Sequence, residues 1–158
     1  MRASAEGVVE VERRIAARPE TVFSYMVDPD RFRRWLGVDA ELDPRPGGLF
    51  RATTIAQPHY VASGHYVEVE PPTRLVFTWG WEPNDELVDG QDRIPPGTST
   101  VEVVLVADGD STILRLRHSG LPDEAACRFH AMGWDETLDR LVVGAAGGDP
   151  QPNPVADL

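Results

Sequence analysis

The sequence predicts an α+β fold, an antiparallel sheet covered on one face by a single long C-terminal helix. Two observations carry this. Between Gly47 and Gly120, five short runs alternate apolar and polar residues with turn residues between them: Leu49–Ile55, Tyr60–Glu70, Arg74–Trp81, Thr98–Val106 and Thr112–Ser119. A helical pattern then closes the chain, with apolar residues at Cys127, Trp134, Leu138, Leu141 and Ala145. Consecutive strands joined by short turns make an antiparallel meander, whose apolar face must be covered. One helix is narrower than five strands, so their packing predicts a lined cavity, and ligand binding is the first functional expectation.

The elements follow in order. Residues 1–6 read as disordered. Val8, Val9 and Val11 through Ile15 read as a first strand, with Glu10, Glu12 and Arg14 on its polar face. Arg18-Pro19-Glu20 opens a helix, because proline at the first helical position sacrifices no hydrogen bond and glutamate suits the positive end. Val22, Phe23 and Met26 form its buried face. Asp28-Pro29 repeats the signal for a shorter helix carrying Phe32, Trp35 and Leu36, which Gly37 ends. A weaker strand covers 38–42, and Pro44 through Gly48 form a turn.

In the run from His65 to Glu70, alternation puts His65, Val67 and Val69 on one face. In the next run Leu75, Phe77, Trp79 and Trp81 share a face. Residues 82–97 form an acidic, proline-rich loop, long enough to be functional or mobile. The last two runs pair across Asp108-Gly109-Asp110, with inward sets Val101, Val103, Leu105 and Leu114, Leu116, His118. The final helix starts after Leu121-Pro122 and ends between Gly144 and Gly148. The tail from Asp149 is polar, holds three prolines and reads as irregular.

Composition narrows the function. At 158 residues the chain is most simply one domain, able to bury ~70% of its unfolded surface. Fifteen basic against 26 acidic residues give a net charge of −11, which argues against nucleic acid or an anionic membrane as partner. Cys127 is the only cysteine, so no disulfide framework is expected and a reducing compartment fits. With no secretory pattern at the N-terminus and no apolar run approaching ~18 residues, a cytoplasmic protein is expected.

The order strand, two short helices, meander, long helix resembles the START-like or SRPBCC superfamily, also called the helix-grip fold. Particular residues sharpen the likeness: Arg18 through Phe23 at the opening helix, Asp43 through Gly48 at a double-glycine turn, and Gly64 through Glu70 followed by Pro71 through Trp79 at the central hairpin. Pro96 through Val101, His118-Ser119-Gly120-Leu121, and Gly133-Trp134 with Leu138 and Leu141 complete the series. Together they resemble the subgroup named for the C-terminal domain of Aha-type heat-shock ATPase activators. The resemblance spans roughly residues 8–145. It implies a curved antiparallel sheet wrapped around the long C-terminal helix, with two short helices near the N-terminus. It also implies a START-like domain over 7–147, followed by the irregular tail 148–158. The fold hosts lipid carriers, hormone receptors, polyketide cyclases and co-chaperone domains.

The histidines are the first place to seek chemistry. His118 lies on the inward set of its strand, and His130 on the apolar stripe of the last helix, one turn before Trp134. Both can meet the cavity, as a polar anchor or a general acid/base. Equally, each can be a core histidine satisfied by a backbone carbonyl or water. Phe77, Trp79 and Trp81, with Trp35 and Trp134 on the helices, suit an apolar or aromatic ligand held by shape. Cys127 reads as a small buried hydrophobe. No converging set of ligands suggests a metal, no nucleophile is tied to a base, and no phosphate-binding loop appears, so no cofactor is expected.

The expected function is therefore binding of a small, largely apolar or aromatic molecule in the cavity between sheet and C-terminal helix, by a monomer or homodimer. The expected lining is Phe50, His65, Val67, Phe77, Trp79 and Trp81 with Val103, Leu116 and His118 from the sheet, and His130, Trp134 and Leu138 from the helix. Catalytic residues are not expected. The alternatives are a polyketide cyclase or aromatase-like enzyme, for which His65, His118, His130 and Tyr66 are the polar candidates, and a co-chaperone-like interaction domain with an exposed apolar patch.

Overall fold

The computed structural model describes residues 2–4, 7–36, 39–54, 59–148 and 150. In chain order the elements are β1 (Arg2–Ser4), β2 (Val8–Ile15), α1 (Pro19–Val27), α2 (Pro29–Phe32), β3 (Asp39–Leu42), β4 (Leu49–Thr53) and β5 (Val61–Glu70). They continue with β6 (Arg74–Trp79), β7 (Ser99–Asp108), β8 (Ser111–Ser119) and α3 (Glu124–Ala145). All eight strands join one antiparallel sheet in the order β1-β2-β8-β7-β6-β5-β4-β3. The fold is the expected α+β arrangement, a curved sheet around a long C-terminal helix.

Local chemistry sets the helix starts. Pro19 and Pro29 occupy first-turn positions. The Asp28 carboxylate accepts from the Asp30 backbone N–H at 3.0 Å, and Asp123 accepts from the Ala126 N–H at 2.9 Å to cap α3. The β3–β4 connection depends on its glycines. Gly47 has φ of 84°, and a methyl group at Gly48 would overlap the Asp43 carbonyl oxygen.

One expectation, for the N-terminus, is corrected, and a second segment, the long loop, is placed. Arg2–Ser4 are not disordered but pair with β2, Ala3 lying opposite Val9; three residues are too few for alternation to reveal. The loop over residues 82–97 is folded onto the domain. Gln91 and Ile94 are buried within it, the Trp81 N–H donates to the Ile94 carbonyl at 2.7 Å, and a methyl group at Gly80 would collide with the Pro95 carbonyl. Arg93 carries the loop to Asp123, the residue that caps α3, at 2.5 Å. Arg51 on β4 holds Glu82 through two parallel bonds of 2.9 and 3.1 Å. Gly37, Val38, Ile55 and the tail residues 149 and 151–158 lie outside the described residues.

Helix α3 runs closest to β2, β1 and α1. Arg13 on β2 fastens this side, binding Asp139 at 3.0 Å and also Asp135. Strands β4 to β6 stand further from α3 because the sheet curves, so large side chains must bridge the gap. The sequence supplies them at Phe50, Tyr66, Phe77, Trp79, Trp81 and Trp134, all buried.

Candidate functional site

The site is the interior between β4–β6 and α3. Strand alternation turns Leu75, Phe77 and Trp79 inward from β6. Trp81, past the strand end, stays inward through a bridge to Ala62. On α3 the buried stripe runs Cys127, His130, Trp134, Leu138, Leu141. From β8, His118 faces inward opposite Val9 and Val101. The resulting rings lie against one another, with centroids from 4.3 Å (Phe50 with Phe77) to 6.4 Å (Trp79 with His130) apart.

The two histidines sit inside this aromatic mass, and each ring nitrogen has a partner. The His130 Nδ1 lies 2.8 Å from the Ala126 carbonyl oxygen. A carbonyl only accepts, so Nδ1 carries the proton. The bare Nε2 then accepts from two indoles, Trp81 at 3.1 Å and Trp79 at 3.3 Å. His118 is the opposite tautomer. Its Nδ1 accepts from the Trp134 indole at 3.0 Å, and its Nε2–H donates to the Ser99 hydroxyl at 2.8 Å. The Ser99 hydroxyl in turn donates to the Trp79 backbone carbonyl oxygen at 2.8 Å. Three indoles, two imidazoles and one serine thus form a network whose donors all have acceptors.

Electrostatics agree with the geometry. Burial holds the His118 imidazole well below its ordinary value, and neighbouring His130 adds to the effect. Burial lowers His130 to about 4, against the opposing influence of the Ala126 carbonyl. Protonating either ring would aim a new N–H at an indole N–H already in place. Both imidazoles are therefore held neutral within the wall.

Two of the predicted lining residues do not face the interior. His65 and Val67 are exposed, and Val67 retains 45% of its accessible surface. The cause is an irregularity in β5. Tyr66 pairs with Phe77 while Val69 pairs with Leu75, so three steps on β5 match two on β6. The bulge reverses the inward phase, and counting alternation back from Val69 lands on the wrong face. Tyr66 takes the inward place, fully buried. Its ring meets Phe50 at 6.0 Å and Phe77 at 6.1 Å, both edge-on. His65 instead contacts the Thr78 hydroxyl at 3.2 Å on the outer side. Phe50, Phe77, Trp79, Trp81, Val103, Leu116, His118, His130, Trp134 and Leu138 are all buried.

Sequence reasoning missed Ser99 as well as the weight of Tyr66. A signal for Ser99 existed, since extending the inward set Leu105, Val103, Val101 one step back reaches it. Burial pushes the Cys127 thiol up, in keeping with an inert core residue. No group of three or more metal-ligating side chains converges among the described residues.

A family description, activator of Hsp90 ATPase homolog 1-like protein (AHSA1), matches residues 16–144. The chain belongs to this AHSA1-like family. The match places it in the START-like, SRPBCC superfamily with the helix-grip fold. Solved structures similar to it include an AHSA1-like protein from Rhizobium etli, 39% identical, with 97% of this chain and 92% of that one covered and a TM-score of 0.68. CalU16 from Micromonospora echinospora is 30% identical over 89% of this chain and 76% of that one, at a TM-score of 0.67. An AHSA1 protein from Silicibacter pomeroyi is 26% identical over 88% and 97%, at 0.72. No curated protein is significantly similar to the chain. Among the described residues no helix is long and apolar enough to cross a membrane.

Proposed function

We propose that this AHSA1-like protein binds a small, largely apolar molecule in the interior between β4–β6 and α3. The observation that supports this is the closed network of Trp79, Trp81, Trp134, His118, His130 and Ser99. It consumes the polar edges of the rings and makes the wall an apolar aromatic surface, the wall chemistry of a site that selects by shape and stacking. The same network favours binding over base catalysis by His118 or His130, whose lone pairs are occupied.

Native mass spectrometry of the protein purified from the cells that make it tests the proposal. The expected result is an adduct of a few hundred daltons that denaturation releases unchanged. If the released compound is instead steadily converted by fresh protein, the function is enzymatic. If no adduct forms and a rigid aromatic probe such as fluorene shows no saturable binding, the interior is only a core.

A further inference from the structure

One polar group of the interior is left out of the hydrogen-bond network. The Tyr66 side chain is fully buried, yet its hydroxyl has no hydrogen-bond partner among the described residues. Buried hydroxyls are nearly always partnered, and each exception requires a cause. The ring is set among aromatics, with Phe50 and Phe77 against it and Phe32 edge-on to Phe50 at 5.9 Å, while the charge of Asp43 reaches the hydroxyl. The contrast with the other polar groups of this wall is sharp, since the indoles of Trp79, Trp81 and Trp134 all reach an acceptor.

We propose that the Tyr66 hydroxyl is the polar anchor of the ligand site, donating to a neutral acceptor oxygen, such as a ketone or ester carbonyl, on an otherwise apolar molecule. This deepens the binding reading and rests on it. A neutral oxygen is specified for two reasons. The hydroxyl remains a protonated donor, since burial, and then the charge of Asp43, hold it well above its ordinary value. The same negative charge and apolar walls disfavour a carboxylate or phosphate ligand. An acceptor placed here pairs a group that is unpaired without it, so it contributes discrimination as well as affinity.

The test compares matched rigid probes by calorimetry: fluorene, its ketone 9-fluorenone, and fluorene-9-carboxylate. On the native protein fluorenone is expected to bind about three- to tenfold more tightly than fluorene, the range a net hydrogen bond gives, and the carboxylate more weakly than either. In Tyr66→Phe the ketone's advantage should vanish with fluorene affinity unchanged. Equal ketone-to-hydrocarbon ratios in the two proteins overturn the anchor while leaving the binding site standing. Failure of every probe to bind the native protein overturns the binding reading and the anchor with it. Unliganded Tyr66→Phe is expected to be at least as stable as the native protein. A clear loss of stability would mean that water or another internal group already satisfies the hydroxyl, and would overturn the proposal.

Discussion

His118 on β8 and His130 on α3 meet nearly at right angles, ring centroids 4.9 Å apart, and they carry their protons on opposite nitrogens. Neither ring donates to the other. Each is turned by the groups behind it, Ser99 and Trp134 for His118, Ala126 and two indoles for His130. Nitrogen-15 NMR of the imidazoles should therefore show two neutral rings of different tautomer, Nε2–H for His118 and Nδ1–H for His130. Two identical tautomers would contradict the network.

The same burial gives a pH dependence of defined sign. A histidine whose folded value is lowered contributes stability that is fully present above the unfolded value, about 6.5. That contribution is lost as pH falls toward the folded value, about 4 for His130. For His130 the loss amounts to as much as about 3 kcal/mol across this window, with His118 adding in the same direction. The lowered carboxylates of Glu82 and Asp123 begin to lose their contributions only as pH falls to their ordinary values of 4.5 and 3.8, so the decline between pH 7.5 and 5.5 belongs to the histidines. Urea unfolding at pH 7.5, 5.5 and 4.5 should show the decline, and a flat profile across that range would refute neutral burial.

Trp134→Ala should destabilise by ~3–5 kcal/mol, because it removes a large buried ring and strips His118 Nδ1 of its donor. Trp134→Phe keeps one aromatic ring while losing the N–H and part of the indole, and should cost less, about 1–3 kcal/mol. A loss under ~1 kcal/mol for the alanine variant in denaturant unfolding would mean that α3 does not cover the sheet.

Gly80→Ala should loosen residues 82–97, since its methyl group would overlap the Pro95 carbonyl. Overpacking of this kind costs about 1–3 kcal/mol. Limited proteolysis should then cut between Glu82 and Gly97 faster than in the native protein. Unchanged cleavage there would show that the loop is not seated on Gly80.

What the sequence made legible was local. The face of α3 was readable because 3.6-residue periodicity is a property of the helix itself, and Cys127, Trp134, Leu138, Leu141 and Ala145 are all buried. The inward sides of β7 and β8 were readable for the same reason. The face of His65 and Val67 was not, because the bulge that reverses β5 arises from its pairing with β6. That His118 and His130 point inward followed from spacing. That both are saturated did not, because their partners Ser99, Trp79 and Trp81 come from β7, β6 and the segment beyond it. The order of residues 82–97 was equally hidden, since it depends on Arg93 reaching the cap of a helix about thirty residues on.

The sharing of one acceptor by two indoles constrains how this chain can evolve. His130 Nε2 serves Trp79 and Trp81 together, so replacing the histidine alone strands two buried N–H groups, and replacing a tryptophan alone leaves a hole beside the other. Groups joined in one network couple non-additively. Drift at these positions therefore passes through poor intermediates, and the tryptophans and the histidine should be inherited, or lost, as a single character.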